Sequence, residues 1–385
     1  MFSIPSVIFV SKKKKLLDKP DHRKKHKQVT PNLGGIAIFS AFAFVACVFN
    51  VGNYMNNWGY ILGGAFLLFV TGLKDDLVTI DPYKKFGAQF LAAILIVFLA
   101  NIRLNDVYGF LGFHTLPYVV SFLISIVGIA FVTNAFNLID GVDGLAGSLC
   151  LLIFGFYGVM FGLNSDYGFA MISFSLAGAA LGFLKFNINP AKIFMGDTGS
   201  LIFGFMVSVL SIAFVARMNA HSESVFISRV FSANGSLSVA LAAIIVPVYD
   251  IFRVFSTRIA RGYSPFHPDR THIHHVLLDA GFNANQVALA LFSTTFLFIG
   301  AAMGMSILQI DSNISIFVIV FIASVLVLLA RKARNKNIAI QEAHLKVLEQ
   351  KKHKAAAASE GFVPSVINPS SDIYEEKTIL AKNPS

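Results

Sequence analysis

Ten long apolar stretches, nearly free of charged side chains, constrain the fold of this 385-residue chain more than any other feature. A run of about 20 apolar residues is long enough for one helix to cross a bilayer, and in lipid the backbone polar groups must be paired within each segment. The stretches occupy 33–53, 58–73, 86–101, 117–136, 144–163, 167–184, 199–216, 237–255, 287–306 and 314–330. The sequence therefore predicts an all-α polytopic membrane protein with about 10–11 transmembrane helices, of which the short one at 86–101 is tilted or thinly embedded.

Composition argues against the other fold classes. The chain is 55% hydrophobic and only 14% charged, with a mean hydropathy of +0.68, whereas soluble domains carry about 25% charged residues. Strands of a membrane β-barrel would be about ten residues long and would alternate in polarity, and these stretches do neither. Cys47 and Cys150 fall in different stretches, so we expect no disulfide framework.

Lysine and arginine set the predicted orientation. If the segment 11–32 faces the cytoplasm, 28 of the 31 Lys and Arg residues are cytoplasmic, and the other side keeps Arg103, Arg217 and Arg229. Basic residues concentrate on the cytoplasmic side of membrane proteins, so this asymmetry explains the net charge of +10 without a nucleic-acid partner.

The two ends of the chain depart from this pattern. About ten apolar residues precede Lys12, so the first span is either truncated or only partly inserted, and we favour truncation. We assign residues 1–331 to a transmembrane domain and 332–385 to a basic cytoplasmic tail. In that tail, 336–358 is expected to form a helix on the membrane surface and 359–385 to be disordered.

Polar residues collect in five clusters that this topology places on the cytoplasmic face. They read DKPDHRKKHKQVTPNLGG (18–35), GLKDDL (72–77), NAFNLIDGVDGLAG (134–147), NPAKIFMGDTGS (189–200) and RGYSPFHPDRTHIHH (261–275). The stretches themselves carry no charge before Asp250 and Arg253. Ion-coupled transporters place ionisable groups near mid-membrane, and a membrane scaffold would not need these clusters. The pattern favours an enzyme at the membrane–water boundary over both alternatives.

The carboxylates of these clusters predict a divalent cation. Asp75 and Asp76 end an apolar stretch, where the helix dipole disfavours anions and Mg²⁺ would compensate; the alternative is a solvated helix end. Asn134, Asn137, Asp140 and Asp143 lie three residues apart, which brings side chains together on a helix. Helix capping is the alternative for Asp143, and also for Asp197 or Thr198.

The last cluster holds four histidines within nine residues, together with Asp269 and Arg270. Zinc is one candidate ligand, since histidine binds it. Phosphate binding through arginine and imidazole donors is the other, and we favour it because no cysteine lies nearby. Carboxylates for a metal, cationic loops for phosphates and access to lipid together predict phosphoryl transfer between a soluble nucleotide and a membrane lipid.

The order of the motifs KQVTPNLGG, KDD, NLIDGVDGLAG, KIFMGDTGS and PDRTHIHH resembles the polyprenyl-phosphate N-acetylhexosamine-1-phosphate transferases of glycosyltransferase family 4, over residues 16–331. This resemblance implies a UDP-N-acetylhexosamine as donor, a polyprenyl (undecaprenyl) phosphate as acceptor, and Mg²⁺, with Mn²⁺ as a candidate substitute. PDRTHIHH resembles the GlcNAc-1-phosphate transferases of O-antigen, enterobacterial common antigen and teichoic acid synthesis. The phospho-MurNAc-pentapeptide transferases carry a different loop and are the alternative.

Motif by motif, the resemblance also implies roles for single residues. Asp197 would be the principal metal ligand, together with Asp76. The implied catalytic residues are Asp75, Asp76, Asp140, Asp143 and His272. The implied substrate-binding residues are Lys27, Asn137, Phe194, Arg270, His274 and His275. The expected location is the bacterial inner membrane with a cytoplasmic active site, and a second copy of the chain is a candidate partner.

Overall fold

A computed structural model describes residues 3–16, 30–219, 224–231, 235–264 and 270–360, the side chains as far as 353. Within them the chain is helical and forms no β-strand. The helices are α1 (Ser3–Lys13), α2 (Gly34–Val48), α3 (Trp58–Leu77), α4 (Pro82–Ile94), α5 (Tyr118–Ile139), α6 (Leu145–Leu163), α7 (Tyr167–Asn187), α8 (Gly196–Arg217), α9 (Val225–Val230), α10 (Ser236–Ala260), α11 (Ile273–Asp279), α12 (Ala284–Ile307) and α13 (Ser312–Glu360). Short 3-10 turns lie at Val51–Asn53 and Phe110–Gly112.

Each of the ten predicted spans falls on one helix, which confirms an all-α polytopic membrane protein. Eight helices in the described residues are long and apolar enough to cross a bilayer, namely α4 to α8, α10, α12 and α13. The other two differ from a standard span. Helix α2 is apolar but has 15 residues, and α3 ends in Lys74, Asp75 and Asp76.

The short predicted stretch at 86–101 is longer in the structure. Asp81 accepts a hydrogen bond from the backbone N–H of Tyr83 at 2.8 Å and caps α4, which begins at Pro82. A π-helical segment, Leu95–Leu99, extends this helix to 18 residues. The cap brings Lys84 and Lys85 into the first turns of α4.

Helix α8 lies at the centre of the helix bundle, and 89% of its most apolar 18-residue segment is buried. Glycines let its neighbours approach closely, since a Cβ atom at Gly204 would lie 2.8 Å from Thr133 of α5. A Cβ atom at Gly72 of α3 would lie 2.5 Å from the Cα of Thr198. Side chains at the start of α8 are therefore surrounded by α2, α3 and α5.

The contacts divide the chain into two units, Met1–Arg334 and Asn335–Ser385. In the second unit α13 continues to Glu360, and nearly all described side chains there are exposed. The domain boundary at 331 and the surface location of this helix stay predictions. Residues 361–385, which include most of the segment expected to be disordered, lie outside the described residues.

Candidate active site

A cavity of about 700 Å³ opens at the start of α8, where residues from distant parts of the chain meet. Its wall includes Lys15, Asn32, Asp75, Asp76, Asn137, Asp140, Asp143, Asn187, Phe194, Asp197, Ser200, Arg270 and His275. All five predicted polar clusters contribute to this wall. Their separation along the sequence means that only the packing of the helices brings them together.

Asp76 binds the first turn of α8. Its Oδ1 accepts the backbone N–H of Asp197 at 2.8 Å, and its Oδ2 accepts the N–H and the hydroxyl of Thr198 at 3.0 and 2.5 Å. The N-terminal amides of a helix lack partners within the helix and attract anions. The expectation that Asp197 or Thr198 caps its own helix is therefore wrong, because the capping side chain comes from α3.

The segment before α2 aligns with the segment before α8 through backbone hydrogen bonds. The N–H groups of Gly34 and Gly35 donate to the carbonyl oxygens of Phe194 and Met195, at 3.0 and 2.9 Å. A Cβ atom at Gly35 would lie 2.3 Å from the backbone nitrogen of Gly199, so only glycine fits there. The TPNLGG motif thus holds Asn32 and the α8 entrance in fixed positions.

Lys85, which the sequence analysis did not single out, lies between the carboxylates of Asp75 and Asp197. Its Nζ lies 2.9 Å from Oδ1 of Asp197, 3.1 Å from Oδ2 of Asp75 and 3.3 Å from Oδ1 of Asn137. A lysine near a helix N-terminus opposes the helix dipole. Lys85 lies in the first turn of α4, just after the cap formed by Asp81 and Pro82, where a positive charge is unfavourable. This position was the signal in the sequence that carboxylates lie nearby.

Asn137 is fixed from both ends of its amide. Its Nδ2 donates to Ser200 Oγ at 2.8 Å and makes a close contact with Asp197 Oδ1, while its Oδ1 accepts from Lys85. Helix α5 ends at Ile139, so the predicted series of four does not continue along one helix face. Asp140 and Asp143 follow in the turn, and they reach the cavity wall from there.

The expectation that Asp143 caps the next helix is also wrong. Helix α6 is preceded by Gly144, whose φ of +76° is left-handed, and Asp143 accepts the backbone N–H of Ala191 at 3.1 Å. Asn187, which the sequence analysis did not identify, accepts from the Gly144 N–H at 2.9 Å and donates to the Ile193 carbonyl at 2.9 Å. Asn187 therefore connects the turn that carries Asp140 and Asp143 to the segment that precedes Asp197.

Negative charge is in excess at this wall. Burial raises the pKa of Asp140 well above its usual value, and the charges of Asp197, Asp76 and Asp143 raise it further. Burial also raises the pKa of Asp76 to about 6, although its hydrogen bonds to Thr198 and Asp197 act in the opposite direction. The pKa of Asp75 is raised by burial and by a hydrogen bond with Asp197. An additional cation at this wall would relieve the repulsion.

The donor atoms suit a hard cation. In the described residues no group of three His, Cys, Asp or Glu side chains is placed to hold a metal alone. Asp75 and Asp197 both contact Lys85 Nζ, so their oxygens converge on one point. One or two carboxylates completed by substrate phosphates is the usual protein site for Mg²⁺, and the residues present fit it.

The histidine segment, 270–275, forms another part of the cavity wall, the histidine wall, and is held by a buried ion cluster. Oδ1 of Asp250 accepts the backbone N–H of Ile273 at 2.9 Å, and its Oδ2 lies 2.8 Å from Nδ1 of His272. Arg253 donates to Asp250 and to the carbonyl of Thr271, both at 2.6 Å. His272 is 7% exposed and does not line the cavity, so the geometry places it behind the wall and leaves its predicted catalytic role untested.

His274 is likewise buried, at 2% exposure. Its ring lies between those of His272 and His275, with centroid distances of 5.8 and 4.3 Å. Burial lowers its pKa to about 3, so the ring is neutral. A Cβ atom at Gly141 would lie 2.7 Å from its Nε2. His274 thus supports the turn that carries Asp140, whereas Arg270 and His275 reach the cavity.

The remaining predicted residues divide between the cavity and the part of the chain that is not described. Phe194 lies at the cavity wall. Lys27 lies in 17–29, outside the described residues. Lys15, which follows α1, also lines the cavity and was not predicted.

Known proteins with similar sequences support one family. Residues 58–215 match the model of glycosyl transferase family 4. A probable undecaprenyl-phosphate N-acetylglucosaminyl 1-phosphate transferase of Bacillus subtilis (strain 168) is 32% identical over 290 residues, covering 73% of this chain and 75% of the relative. Undecaprenyl-phosphate alpha-N-acetylglucosaminyl 1-phosphate transferases of Yersinia pestis and Escherichia coli (strain K12) are each 29% identical, over 70% and 72% of this chain and 72% and 73% of their own lengths.

These relatives align over most of their length, and the matched segment contains the carboxylates of α3, the α5–α6 turn and α8. The fold and the cavity agree with a membrane enzyme that acts on phosphates. The chain therefore belongs to glycosyl transferase family 4.

Proposed function

We propose that the protein transfers N-acetylglucosamine 1-phosphate from UDP-N-acetylglucosamine to undecaprenyl phosphate and releases UMP. The observation that carries this proposal is the cavity at the charged ends of apolar helices, where carboxylates, Lys85 and Arg270 converge. Such a cavity reaches a lipid phosphate from the bilayer and a sugar nucleotide from water. The names of the relatives supply the sugar and the lipid.

The bond changes are balanced. An oxygen of the lipid monophosphate attacks the β-phosphorus of the nucleotide sugar, and the bond from that phosphorus to the bridging oxygen breaks. UMP leaves with the bridging oxygen, and the lipid keeps a diphosphate joined to the sugar. One phosphoanhydride replaces another, so catalysis consists mainly of positioning and charge neutralisation.

We infer that Asp197 and Asp75 would hold Mg²⁺, or Mn²⁺ in its place. This assignment differs from the pair predicted from sequence, because both oxygens of Asp76 already accept hydrogen bonds from α8. When bound, the metal would neutralise phosphate oxygens as the two anions approach. Lys85 supplies a fixed positive charge at the same oxygens.

The other residues of the cavity bind and orient the substrates in this proposal. Asn137, Asp143 and Phe194 would contact the nucleotide, and Arg270 and His275, which line the same cavity, would bind the diphosphate or the sugar. Asp140, whose pKa is raised first by burial and then by its acidic neighbours, is the first candidate to accept the proton of the lipid phosphate. Asp75 is the second candidate for that proton.

We further propose that the cavity faces the cytoplasm of a bacterial inner membrane. The ends of the helices that form it belong to the side with 28 of the 31 Lys and Arg residues. UDP-sugars are water-soluble and would reach the cavity from that side. The product would then start a cell-surface polysaccharide.

The test is UMP release by the purified full chain with undecaprenyl phosphate and Mg²⁺. UDP-GlcNAc, UDP-GalNAc and UDP-MurNAc-pentapeptide are supplied in turn, with and without a chelator. We expect release with UDP-GlcNAc, lost on chelation and reduced at least about 10³-fold in Asp197→Asn, as for loss of a charge-stabilising group. Asp311→Asn, a matched change in the exposed turn before α13, is expected to keep full activity.

Release with the pentapeptide nucleotide alone would instead assign the chain to the MurNAc-pentapeptide branch. Full activity of Asp197→Asn would contradict the metal site but leave the reaction intact. No release with any donor from folded protein would contradict the proposed reaction.

A further inference from the structure

A second, apolar groove lies between α10, α11, α12 and α13, and it shares no lining residue with the catalytic cavity. Its volume is about 160 Å³, and its wall includes Ile245, Tyr249, Leu291, Phe298, Ala323 and Ala330. Pockets for drug-sized ligands are usually about 300–1,000 Å³. This groove therefore suits one narrow hydrocarbon chain and is too small for a nucleotide sugar. Leu326 at its edge is 42% exposed, so the groove meets the bilayer.

Arginines stand at the charged end of this groove. Residues four apart share a helix face, so Arg253 follows Tyr249 and Arg334 follows Ala330 on the faces that line it. Arg331 lies within the electrostatic range of Arg253, Arg261 and Arg334. We call Arg253, Arg261, Arg331 and Arg334 the arginine cluster.

The arginine cluster is short of acceptors. In the part of the chain that the structure describes, Arg261, Arg331 and Arg334 form no ion pair, and Arg253 forms one, with Asp250. Nε and Nη1 of Arg253 and Nε of Arg334 are buried and have no hydrogen-bond partner there. A guanidinium cannot lose its proton to relieve this, and a buried donor left unpaired destabilises the fold. An anion with several oxygens would satisfy these donors.

We propose that the groove and the arginine cluster bind an anionic phospholipid of the surrounding bilayer. The phosphodiester accepts from the arginines, and one acyl chain lies in the groove. Arginine pairs well with phosphate oxygens, and basic pockets between membrane helices at the cytoplasmic surface recognise anionic headgroups. The groove supplies the apolar half of the same ligand.

The site is connected to the histidine wall. Arg253 donates through Nη2 to the carbonyl of Thr271, next to Arg270. Asp250 lines the groove and holds His272 and Ile273. A bound phosphate would keep Arg253 in place and so keep this segment ordered. The binding itself does not depend on the proposed reaction, since it is measured without substrate.

The experiment is a lipid titration of the delipidated full chain in detergent, followed by native mass spectrometry. The probes are phosphatidylglycerol and, as the uncharged comparison, phosphatidylcholine. Arg331→Gln/Arg334→Gln removes two charges of the cluster, and Lys346→Gln/Lys351→Gln removes two from the exposed end of the same helix. Each charge near a membrane contributes about a fivefold change in affinity. We expect about 25-fold weaker phosphatidylglycerol binding in the arginine variant and no change in the lysine variant.

Ala323→Phe fills the groove without changing a charge, and it is expected to weaken the same binding event. Equal binding of the two lipids, or equal losses in the arginine and lysine variants, would overturn the proposal. Displacement of phosphatidylglycerol by equimolar polyprenyl phosphate would also overturn it, because the groove would then belong to the substrate. If the arginine variant elutes as aggregate, Ala323→Phe decides the outcome alone.

Discussion

The two walls of the catalytic cavity balance their charges differently. On the carboxylate wall, Asp75 and Asp197 share the ammonium group of Lys85, while burial and then the acidic neighbours raise the pKa of Asp140. On the histidine wall, Asp250 is matched by Arg253 and His272 at hydrogen-bond distance.

This difference separates two tasks. The carboxylate wall is short of positive charge and is completed by what binds to it, so its chemistry depends on ligands. The histidine wall is already paired, so the segment that carries Arg270 and His275 is held in place by Asp250 through His272 and Ile273. Electrostatic preorganisation of this second kind makes donors available without reorganisation during the reaction. Changes to the first wall should therefore affect turnover and metal use, and changes to the second should affect substrate binding.

Among the three changes that test this difference, Lys85→Met is expected to have the largest effect, since it removes the resident positive charge of the carboxylate wall. UMP release should fall about 10²-fold, as for loss of one preorganised donor. The midpoint of the Mg²⁺ titration should also shift, because the ammonium group contacts the oxygens of Asp75 and Asp197 that would hold the proposed metal. Lys84→Met is the matched control, since Lys84 is exposed, and it should behave as wild type. An unchanged metal titration in Lys85→Met would remove the distinction between the walls.

A smaller effect is expected from Asp250→Asn on the histidine wall. The amide still accepts from Ile273 but loses the charge that pairs with Arg253 and His272. The kcat/KM for the sugar nucleotide should fall roughly tenfold, mostly through KM, because Arg270 loses its fixed position. The Mg²⁺ midpoint should stay at the wild-type value. A shift in that midpoint would show that the walls are not separate.

The smallest effect concerns stability. Because folding raises the pKa of Asp140, its protonated form is favoured in the folded state, and that contribution is complete below the unfolded pKa of about 3.9. It is lost as the pH rises through the folded pKa. Asp140→Asn should therefore gain thermal stability over wild type as pH rises, by roughly 2 °C per kcal/mol in a long chain. Melting curves from pH 4 to 8 measure this, and parallel curves for the two proteins would contradict it.

The membrane-spanning helices could be predicted from the sequence, but the contacts between helices could not. Spans follow from local composition, and the motif order gave the cluster that holds Asp197 and Asn137. Lys85 was missed because its partners come from α3, α5 and α8, and no local pattern relates them. The capping role of Asp76 was missed for the same reason, since a helix end is normally capped by its own neighbours. The motif does not show which histidines line the cavity, so the catalytic role of His272, which Asp250 holds outside the cavity lining, stays a prediction.

Because Asp76 of α3 caps α8, the site can form only after both helices have been synthesised. The two partners are 121 residues apart. At about 5–20 residues per second of synthesis, α3 exists for roughly ten seconds before the helix it caps has been made. The early helices are thus inserted into the membrane before the candidate active site can assemble. A larger side chain at Gly72 or Gly35, where the helices touch, would not prevent membrane insertion. It would prevent the assembly of the site, and the inserted protein would be inactive.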